Sequence, residues 1–228
     1  MSKTAVAQID PTQFTSLVDP ALYPHSGKVF YSGRAAFSAP TSLYLLGLNP
    51  GGSVSAHASD TIGRNLTEWQ RRPELWSEYR DESWEGANPG KHGLAPRVLH
   101  LFDQLGLDPR LTPTSNVVFV RSNNEAALAQ QKRAFLTQCW PVHRAVIKTL
   151  GVTTVMCLGA TAGRWVKALL GATELAGRFV ETNSRKWGSE AHISPAGLCV
   201  LTLTHPSRAD WTNRTADPTP LVREMLAR

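Results

Sequence analysis

Residues Ser42 to Ser53 read SLYLLGLNPGGS, a short apolar run that ends in asparagine, proline and two glycines. A continuous apolar run of this length, bounded by turn residues, is typical of a strand buried in a parallel sheet. Open parallel sheets bind ligands beyond the carboxyl ends of their strands, so we expect Asn49 to face a cleft. Gly51 and Gly52 let the main chain approach a ligand closely, because neither carries a Cβ. The alternative is a plain strand-to-helix turn in which Asn49 hydrogen-bonds its own backbone.

The chain has 228 residues, of which 42% are hydrophobic and 18% charged. This balance is typical of a globular protein with a sizeable core, and we expect a single domain spanning residues 1–228. The net charge of +6 favours a polyanionic partner such as nucleic acid. Many basic proteins have no such partner, so charge alone does not assign the function.

The three cysteines, Cys139, Cys157 and Cys199, lie far apart and form no C-x-x-C motif. This spacing argues against a zinc or iron–sulfur site, and we expect no cofactor. Unpaired cysteines in apolar surroundings are typical of a reduced compartment. No apolar stretch has the length of a signal-peptide core or of a membrane span. We therefore expect a cytoplasmic protein without membrane contact.

Strands and helices alternate along the rest of the chain. After the strand at Ser42–Leu48, strands are predicted at Ser115–Val120, Thr153–Leu158 and Leu198–Leu203. Helices are predicted near Gln13–Val18, over Ala95–Leu105, over Glu125–Leu150 with a break near Pro141, over Gly159–Leu170, and after Pro218 or Pro220. This alternation predicts an α/β fold, a three-layer α/β/α sandwich around a central four-stranded, mainly parallel sheet.

Residues 54–89 are too long for an ordinary connection between a strand and a helix. They are rich in tryptophan and arginine, with Trp69, Trp76 and Trp84 among them. Connections of this length usually carry their own secondary structure and often a function. We expect an expanded lobe, called the 54–89 lobe below, that contains helices and can cover a site.

Polar groups follow or open three of the predicted strands. Asn49 follows the first strand, Asn116 lies within the second, and His205, Pro206 and Ser207 follow the last. Each alone is more simply explained as a turn or capping residue. Because the carboxyl ends of parallel strands share one edge of the sheet, we expect the three groups to lie close together.

Together these groups resemble motifs of the uracil-DNA glycosylase superfamily. GLNPG at residues 47–51 is similar to the GxNPG form of that superfamily's first motif, and THPS at 204–207 is similar to its second. SNVVFVRSNN resembles the strand that bears the base-reading asparagine, and GATAGRWV, residues 159–166, resembles a helix start. The likeness spans most of Ser42 to Trp211, although its specific part is about a dozen positions. The resemblance implies a DNA glycosylase that flips a nucleotide out of DNA before cleaving its glycosidic bond.

The resemblance also implies roles for three side chains. Asn116 fits a reader of the pyrimidine edge, because an amide both donates and accepts hydrogen bonds. His205 is suited to donate to the base oxygen that gains negative charge. Asn49 would hold a water beneath the anomeric carbon; since an amide is no strong base, we expect a slower enzyme than members with Asp there.

The base pocket is expected to include Gly47, Leu48 and Gly51. Members strict for uracil carry a bulky Tyr at the position of Gly51, so this pocket is expected to admit pyrimidines substituted at C5. Trp84 is the candidate to stack on the flipped base, although it equally fits a residue that packs the 54–89 lobe.

The expected DNA interface lies around the two motifs. In the superfamily the loop after the histidine enters the minor groove, and Arg208 or Trp211 would be its wedge unless Trp211 only anchors the loop. Ser53 and Ser207 would bind phosphates. Arg185 and Lys186, beside Trp187, form a second candidate contact or else an ordinary exposed loop. The remaining motif residues that we assign to this interface are Pro50, Gly52 and Pro206.

The preferred hypothesis is a monofunctional glycosylase that removes uracil or a C5-modified pyrimidine, in repair or in defence against modified foreign DNA. Its partner would be duplex or single-stranded DNA, bound by a monomer. A non-catalytic DNA- or nucleotide-binding module on the same fold is the main alternative. A nucleoside hydrolase is disfavoured, since the sequence has no aspartate cluster for calcium.

Overall fold

The computed structural model describes residues 9–84 and 86–228. Over this part of the chain six strands form one mixed sheet, in the order β2-β1-β3-β6-β5-β4. The strands are β1 (Leu43–Gly47), β2 (Thr114–Asn116), β3 (Thr154–Leu158), β4 (Glu174–Val180), β5 (Gly188–Ile193) and β6 (Cys199–Leu203). Strands β2, β1, β3 and β6 are parallel, whereas β5 and β4 are antiparallel to their neighbours.

Eight α-helices lie within the described residues. They are α1 (Thr12–Thr15), α2 (Ile62–Arg71), α3 (Glu78–Asp81), α4 (Ala95–Leu105), α5 (Glu125–Gln130), α6 (Lys132–Leu150), α7 (Ala160–Leu170) and α8 (Thr219–Leu226), with short 3-10 helices at Pro20–Leu22 and Arg34–Phe37. Helix α4 has the predicted bounds and ends at Gly106, whose φ of 68° is in the left-handed region that glycine adopts without strain.

The sheet is covered by helices on both faces, because successive residues of its central strands point to opposite sides. Tyr44 and Leu46 of β1 belong to a core cluster with buried residues of α2, α6 and α7. Leu43 and Leu45 belong to a second cluster with buried residues of α4 and α8. The predicted α/β class is thus confirmed, and the parallel strands are buried on both faces as their apolar sequence indicates.

The prediction of a four-stranded sheet is wrong. The missing strands β4 and β5 form an antiparallel hairpin at the edge of the sheet, next to β6. Most residues of β4 are exposed or half-buried. The hairpin therefore lacks the apolar run by which the central strands were recognised.

The predicted helix break near Pro141 is also misplaced. The break lies at Gln131, between α5 and α6, and Pro141 lies inside α6. Proline removes one backbone donor but does not end this helix, because Cys139, Val142 and Val146 anchor its buried face in the core.

The 54–89 lobe contains α2 and α3. The N-terminal segment forms single β-bridges both to this lobe and to β2. Ser32 forms a bridge to Ser77 of the lobe, and Phe30 forms a bridge to Ser115 of β2. The indole of Trp69 is buried and donates to the carbonyl oxygen of Ser32 over 2.8 Å. These contacts fix the lobe against the N-terminal segment, so that both contribute to one wall beside the sheet.

Helix hydropathy and the state of the cysteines were both subjects of expectations from the sequence. No helix among residues 9–84 and 86–228 is long and apolar enough to cross a membrane. Cys139, Cys157 and Cys199 are buried and unpaired. Burial raises the pKa of the Cys139 thiol to about 12, so this side chain packs as a small apolar group.

Candidate functional site

A cleft of about 900 Å³ opens at the carboxyl edge of the four parallel strands. Asn49, which follows β1, Asn116, which ends β2, and His205, which follows β6, all line it. The structure therefore brings together the three side chains that the sequence predicted to meet. The volume is near the upper end of the range for small-molecule sites, about 300–1,000 Å³.

Asn116 is held directly opposite Gly47 in the pairing of β2 with β1. Its side chain is 6% exposed and passes over the glycine, since a Cβ at Gly47 would lie only 2.1 Å from Oδ1 of Asn116. Gly47 thus provides the space that the asparagine amide occupies. The requirement for glycine at this position comes from the neighbouring strand and not from a turn.

The Asn49 side chain is fixed through its amide nitrogen. Nδ2 donates to the carbonyl oxygen of Pro50 and to Oγ of Ser122, each over 3.0 Å. With both amide hydrogens directed to the protein, Oδ1 is the group that remains to accept a hydrogen bond from a bound molecule. Asn49 can therefore orient a water but cannot remove its proton.

His205 is held in one tautomer by the residues that follow it. The backbone N–H of Ser207 donates to Nδ1 over 3.1 Å, and the Ser207 hydroxyl lies 2.7 Å from the same nitrogen. Because Nδ1 accepts, the proton of the neutral ring lies on Nε2. Gly159 leaves room for the ring, since a Cβ there would come within 3.1 Å of its Cδ2 atom.

The neutral form of His205 is favoured by its surroundings. Burial lowers its pKa most, the positive charge of Arg208 lowers it further, and Glu125 opposes both. The side chain therefore presents an N–H donor without carrying a charge at neutral pH.

A second wall of the cleft consists of Trp84 and of four residues that the sequence did not indicate. In this wall Lys28 and Tyr31 of the N-terminal segment lie together with Glu78, Tyr79 and Trp84 of the 54–89 lobe. Nζ of Lys28 donates to both carboxylate oxygens of Glu78, over 2.7 and 2.8 Å. The same Nζ lies 5.3 Å from the ring centroid of Tyr31 and 5.6 Å from that of Trp84.

Tyr31 connects this wall to Asn116. Burial raises its pKa well above the ordinary value, the charge of Glu78 adds to the rise, and a hydrogen bond with the Asn116 side chain opposes it. Tyr31 is therefore a neutral hydroxyl beside the Asn116 amide. A lysine and a tyrosine in a segment without a motif offer no local signal of such a position.

The other predicted base-pocket residues also line the cleft. Leu48, Gly51 and Trp84 are among its lining residues, and Trp84 is half-buried. A Cβ placed on Gly51 would meet no atom within 4 Å, so this side of the cleft is open. The carbonyl oxygen of Gly51 accepts a hydrogen bond from the guanidinium of Arg121, which fixes the loop.

The basic residues predicted to contact DNA lie at one rim of the cleft. Arg208 and Ser207 are exposed lining residues, and Trp187 lines the same rim. The guanidinium of Arg185 lies 4.6 Å from the Trp187 ring centroid and donates to the carbonyl oxygen of Arg208. Lys186 is exposed next to them, with its Nζ 3.3 Å from the carbonyl oxygen of Thr182.

Other predicted DNA contacts do not offer a free surface. Trp211 is fully buried in the core cluster beneath the loop, so its interpretation as a wedge is wrong and it anchors the loop instead. Pro50 and Pro206 are buried as well, and the carbonyl oxygen of Pro206 accepts a hydrogen bond from Arg97. Gly52 lines the cleft, whereas Ser53 is exposed outside it and its hydroxyl pairs with that of Ser55.

Comparison with known proteins adds no family assignment. No protein-family model matches the chain, and no curated protein matches its sequence. The resemblance to the uracil-DNA glycosylase superfamily therefore depends on the motif residues. Among residues 9–84 and 86–228 no group of three or more His, Cys, Asp or Glu side chains is arranged to hold a metal ion.

Proposed function

We propose that this protein is a monofunctional DNA glycosylase, which hydrolyses the bond between a pyrimidine and its deoxyribose and leaves an abasic site. The observation that carries the proposal is the convergence of Asn49, Asn116 and His205 on one cleft at the carboxyl edge of the sheet. Such a reaction needs one amide to recognise the pyrimidine, a second amide to bind the attacking water, and a neutral imidazole to donate a hydrogen bond to the leaving base.

The target base would enter the cleft only after it is flipped out of the DNA stack. Asn116 then reads the pyrimidine edge, since its amide donates to one edge atom and accepts from another. Its burial and its tight fit over Gly47 support this role, because a side chain that moves little discriminates well between edges.

Cleavage of the glycosidic bond leaves negative charge on the base and positive charge on the sugar. The Nε2–H group of His205 donates to the base oxygen where this charge collects. A preorganised donor of this kind contributes about 3 kcal/mol to transition-state stabilisation. The hydrogen bond from Ser207 to Nδ1 supports the assignment, since it orients the ring without an added charge.

Asn49 accepts a hydrogen bond from the attacking water through Oδ1, while Ser122 holds its amide nitrogen. The water adds to the anomeric carbon, its proton leaves to solvent or to the departing base, and the products are the free base and an abasic sugar. Lys28 lines the cleft, but its ammonium is hydrogen-bonded to both Glu78 oxygens, which supports hydrolysis without a lysine–sugar adduct.

The substrate would be uracil or a pyrimidine with a group at C5, including hydroxymethylated and glucosylated bases. The open space beside Gly51 and the size of the cleft support this range. Arg208 and the neighbouring Arg185, Lys186 and Trp187 would contact the DNA backbone, in line with the net charge of +6. Either repair or defence against modified foreign DNA would use this activity.

The proposal is tested with duplexes that carry one uracil, thymine, 5-hydroxymethyluracil, 5-hydroxymethylcytosine or glucosylated cytosine, cleaved with alkali after incubation. We expect breaks at one or more of these bases, none before alkali, and loss of the breaks in Asn49→Ala and His205→Ala. His25→Ala, which alters an exposed histidine away from the cleft, is the matched control. Tight DNA binding without breaks on any duplex would favour the non-catalytic module instead.

A further inference from the structure

The Lys28–Glu78 ion pair lies in the wall of the cleft, and no step of the proposed reaction uses it. The side chains are 15% and 4% exposed, respectively. Removing two charges from water costs as much as their attraction returns, so such a pair contributes little to stability unless other groups compensate. Its position in a cleft wall indicates a binding role.

The pair lines the same cleft as the base-reading amide and Gly51, and intervening residues connect it to both. The ring centroid of Tyr31 lies 5.3 Å from Nζ of Lys28, and Tyr31 also forms a hydrogen bond with the Asn116 side chain. Arg121, whose charge acts on Tyr31, also holds the carbonyl oxygen of Gly51. A substituent of a pyrimidine read by Asn116 therefore enters the cleft that this wall and Gly51 both line.

The two members of the pair offer complementary hydrogen-bonding groups. An ammonium has three donors, and two are directed at the Glu78 carboxylate, whose oxygens have further acceptor capacity. A hydroxyl donates and accepts at once, so it matches both groups. A methyl group would offer no hydrogen bond to either residue beyond the one they make with each other, and a carboxylate would be repelled by Glu78.

The aromatic rings around Lys28 favour the same kind of group. The rings of Tyr31 and Trp84 lie 5.3 and 5.6 Å from the ammonium and cover part of it with apolar surface. Hydrogen bonds to largely buried groups discriminate between ligands, because a ligand without the matching group leaves part of their hydrogen-bonding capacity unused.

We propose that Lys28 and Glu78 determine specificity by binding a hydroxyl on the C5 substituent of the excised pyrimidine. This inference rests on the proposed function and narrows its substrate class to bases with a hydroxylated group at C5. Lys28 and Glu78 are binding residues in this scheme and take no part in bond cleavage.

The test compares matched pairs of bases that differ by a single hydroxyl. Duplexes carry 5-hydroxymethyluracil or thymine, and 5-hydroxymethylcytosine or 5-methylcytosine, and kcat/KM is measured for each. We expect the wild-type protein to prefer the hydroxylated member of at least one pair by tenfold or more. In Lys28→Met and Glu78→Gln that ratio is expected to fall to about twofold or less.

The double variant Lys28→Met/Glu78→Gln guards against a folding defect, because it leaves no unpaired buried charge. Thermal unfolding shows whether each variant is folded, and Lys148→Met, at an exposed position late in α6, is the matched control and keeps the wild-type ratio. Equal rates on both members of each pair, or a preference that survives in the folded double variant, would overturn the inference while leaving the glycosylase proposal intact. Absence of cleavage on every duplex would overturn both.

Discussion

The backbone N–H of Ser207 donates to Nδ1 of His205 over 3.1 Å, and this one bond determines which nitrogen of the ring faces the cleft as a donor. The loop T-H-P-S therefore supplies both the imidazole and the group that orients it. Protonation of Nδ1 would break this hydrogen bond, because the protonated nitrogen can no longer accept one from the Ser207 N–H group. The surroundings that lower the pKa of His205 act in the same direction.

A pH profile tests this arrangement. Because the pKa of His205 is lowered, the neutral ring persists as the pH falls through the ordinary histidine value of about 6.5. We expect the single-turnover excision rate to stay level from pH 8 to about 6.5 and to fall only below it. Long-range ¹⁵N NMR of labelled histidine is expected to report the Nε2–H tautomer at neutral pH. An inflection above 6.5, or an Nδ1–H tautomer, would contradict the arrangement.

Gly47→Ala is expected to disable the site through Asn116. The added Cβ would lie 2.1 Å from Oδ1 of Asn116, so the amide must move out of its present position in the cleft. Overpacking of this kind costs about 1–3 kcal/mol in the free energy of unfolding. Chemical denaturation and excision rates measure the two effects. Gly51→Ala, where a Cβ meets nothing within 4 Å, is the control and should unfold like the wild type.

Gly51→Tyr tests the origin of the open pocket. Space at this position allows the larger side chain to be built without displacing the backbone, and the ring then occupies part of the cleft. The ratio of kcat/KM for a C5-substituted base to that for uracil is expected to fall about tenfold or more, because the ring excludes the C5 group sterically. An unchanged ratio would mean that the C5 group does not point towards residue 51.

His143 is expected to destabilise the protein in mild acid. It is fully buried in α6, with Nδ1 2.9 Å from the Tyr44 hydroxyl and Nε2 3.2 Å from the carbonyl oxygen of Val117, and burial lowers its pKa to about 4. Between pH 6.5 and 4 the unfolded chain binds a proton that the native protein does not. Stability is therefore complete above pH 6.5 and falls by about 3 kcal/mol as the pH approaches 4.

Urea unfolding at pH 7 and pH 4.5 measures this change. His143→Gln is expected to be less stable at pH 7 but to lose less on acidification than the wild type does. If both proteins lose the same amount, another group causes the acid sensitivity.

Arg208→Gln tests the rim as a DNA contact. Arg208 is exposed at the cleft, and its backbone is held by Arg185. Loss of one phosphate contact is expected to reduce the slope of log Kd against log salt by about one. Fluorescence anisotropy with a short duplex gives the slope. Arg144→Gln, which removes an exposed charge in α6 outside the cleft, should leave it unchanged.

Much of the fold followed from local patterns. The apolar runs of β1, β3 and β6 are continuous because both faces of these strands are covered, and each was predicted to within one or two residues. The β4–β5 hairpin was not predicted, because its edge strand is largely exposed and carries no such run. Pro141 suggested a break in a helix that tertiary packing holds intact.

The sequence by itself determined that Asn49 and His205 follow parallel strands and share the carboxyl edge of the sheet, because strand direction follows from the alternation of strands and helices. Asn116 joins them because β2 ends at this residue, whereas the sequence predicted a strand that continues from Ser115 to Val120. Only the tertiary structure decided that Trp211 is buried and that Lys28, Tyr31 and Glu78 form a second wall of the cleft. The physical reason is the separation along the chain of the residues that interact. Periodicity reports the face and the end of one element, whereas an ion pair between residues 28 and 78 depends on how two separate segments pack together.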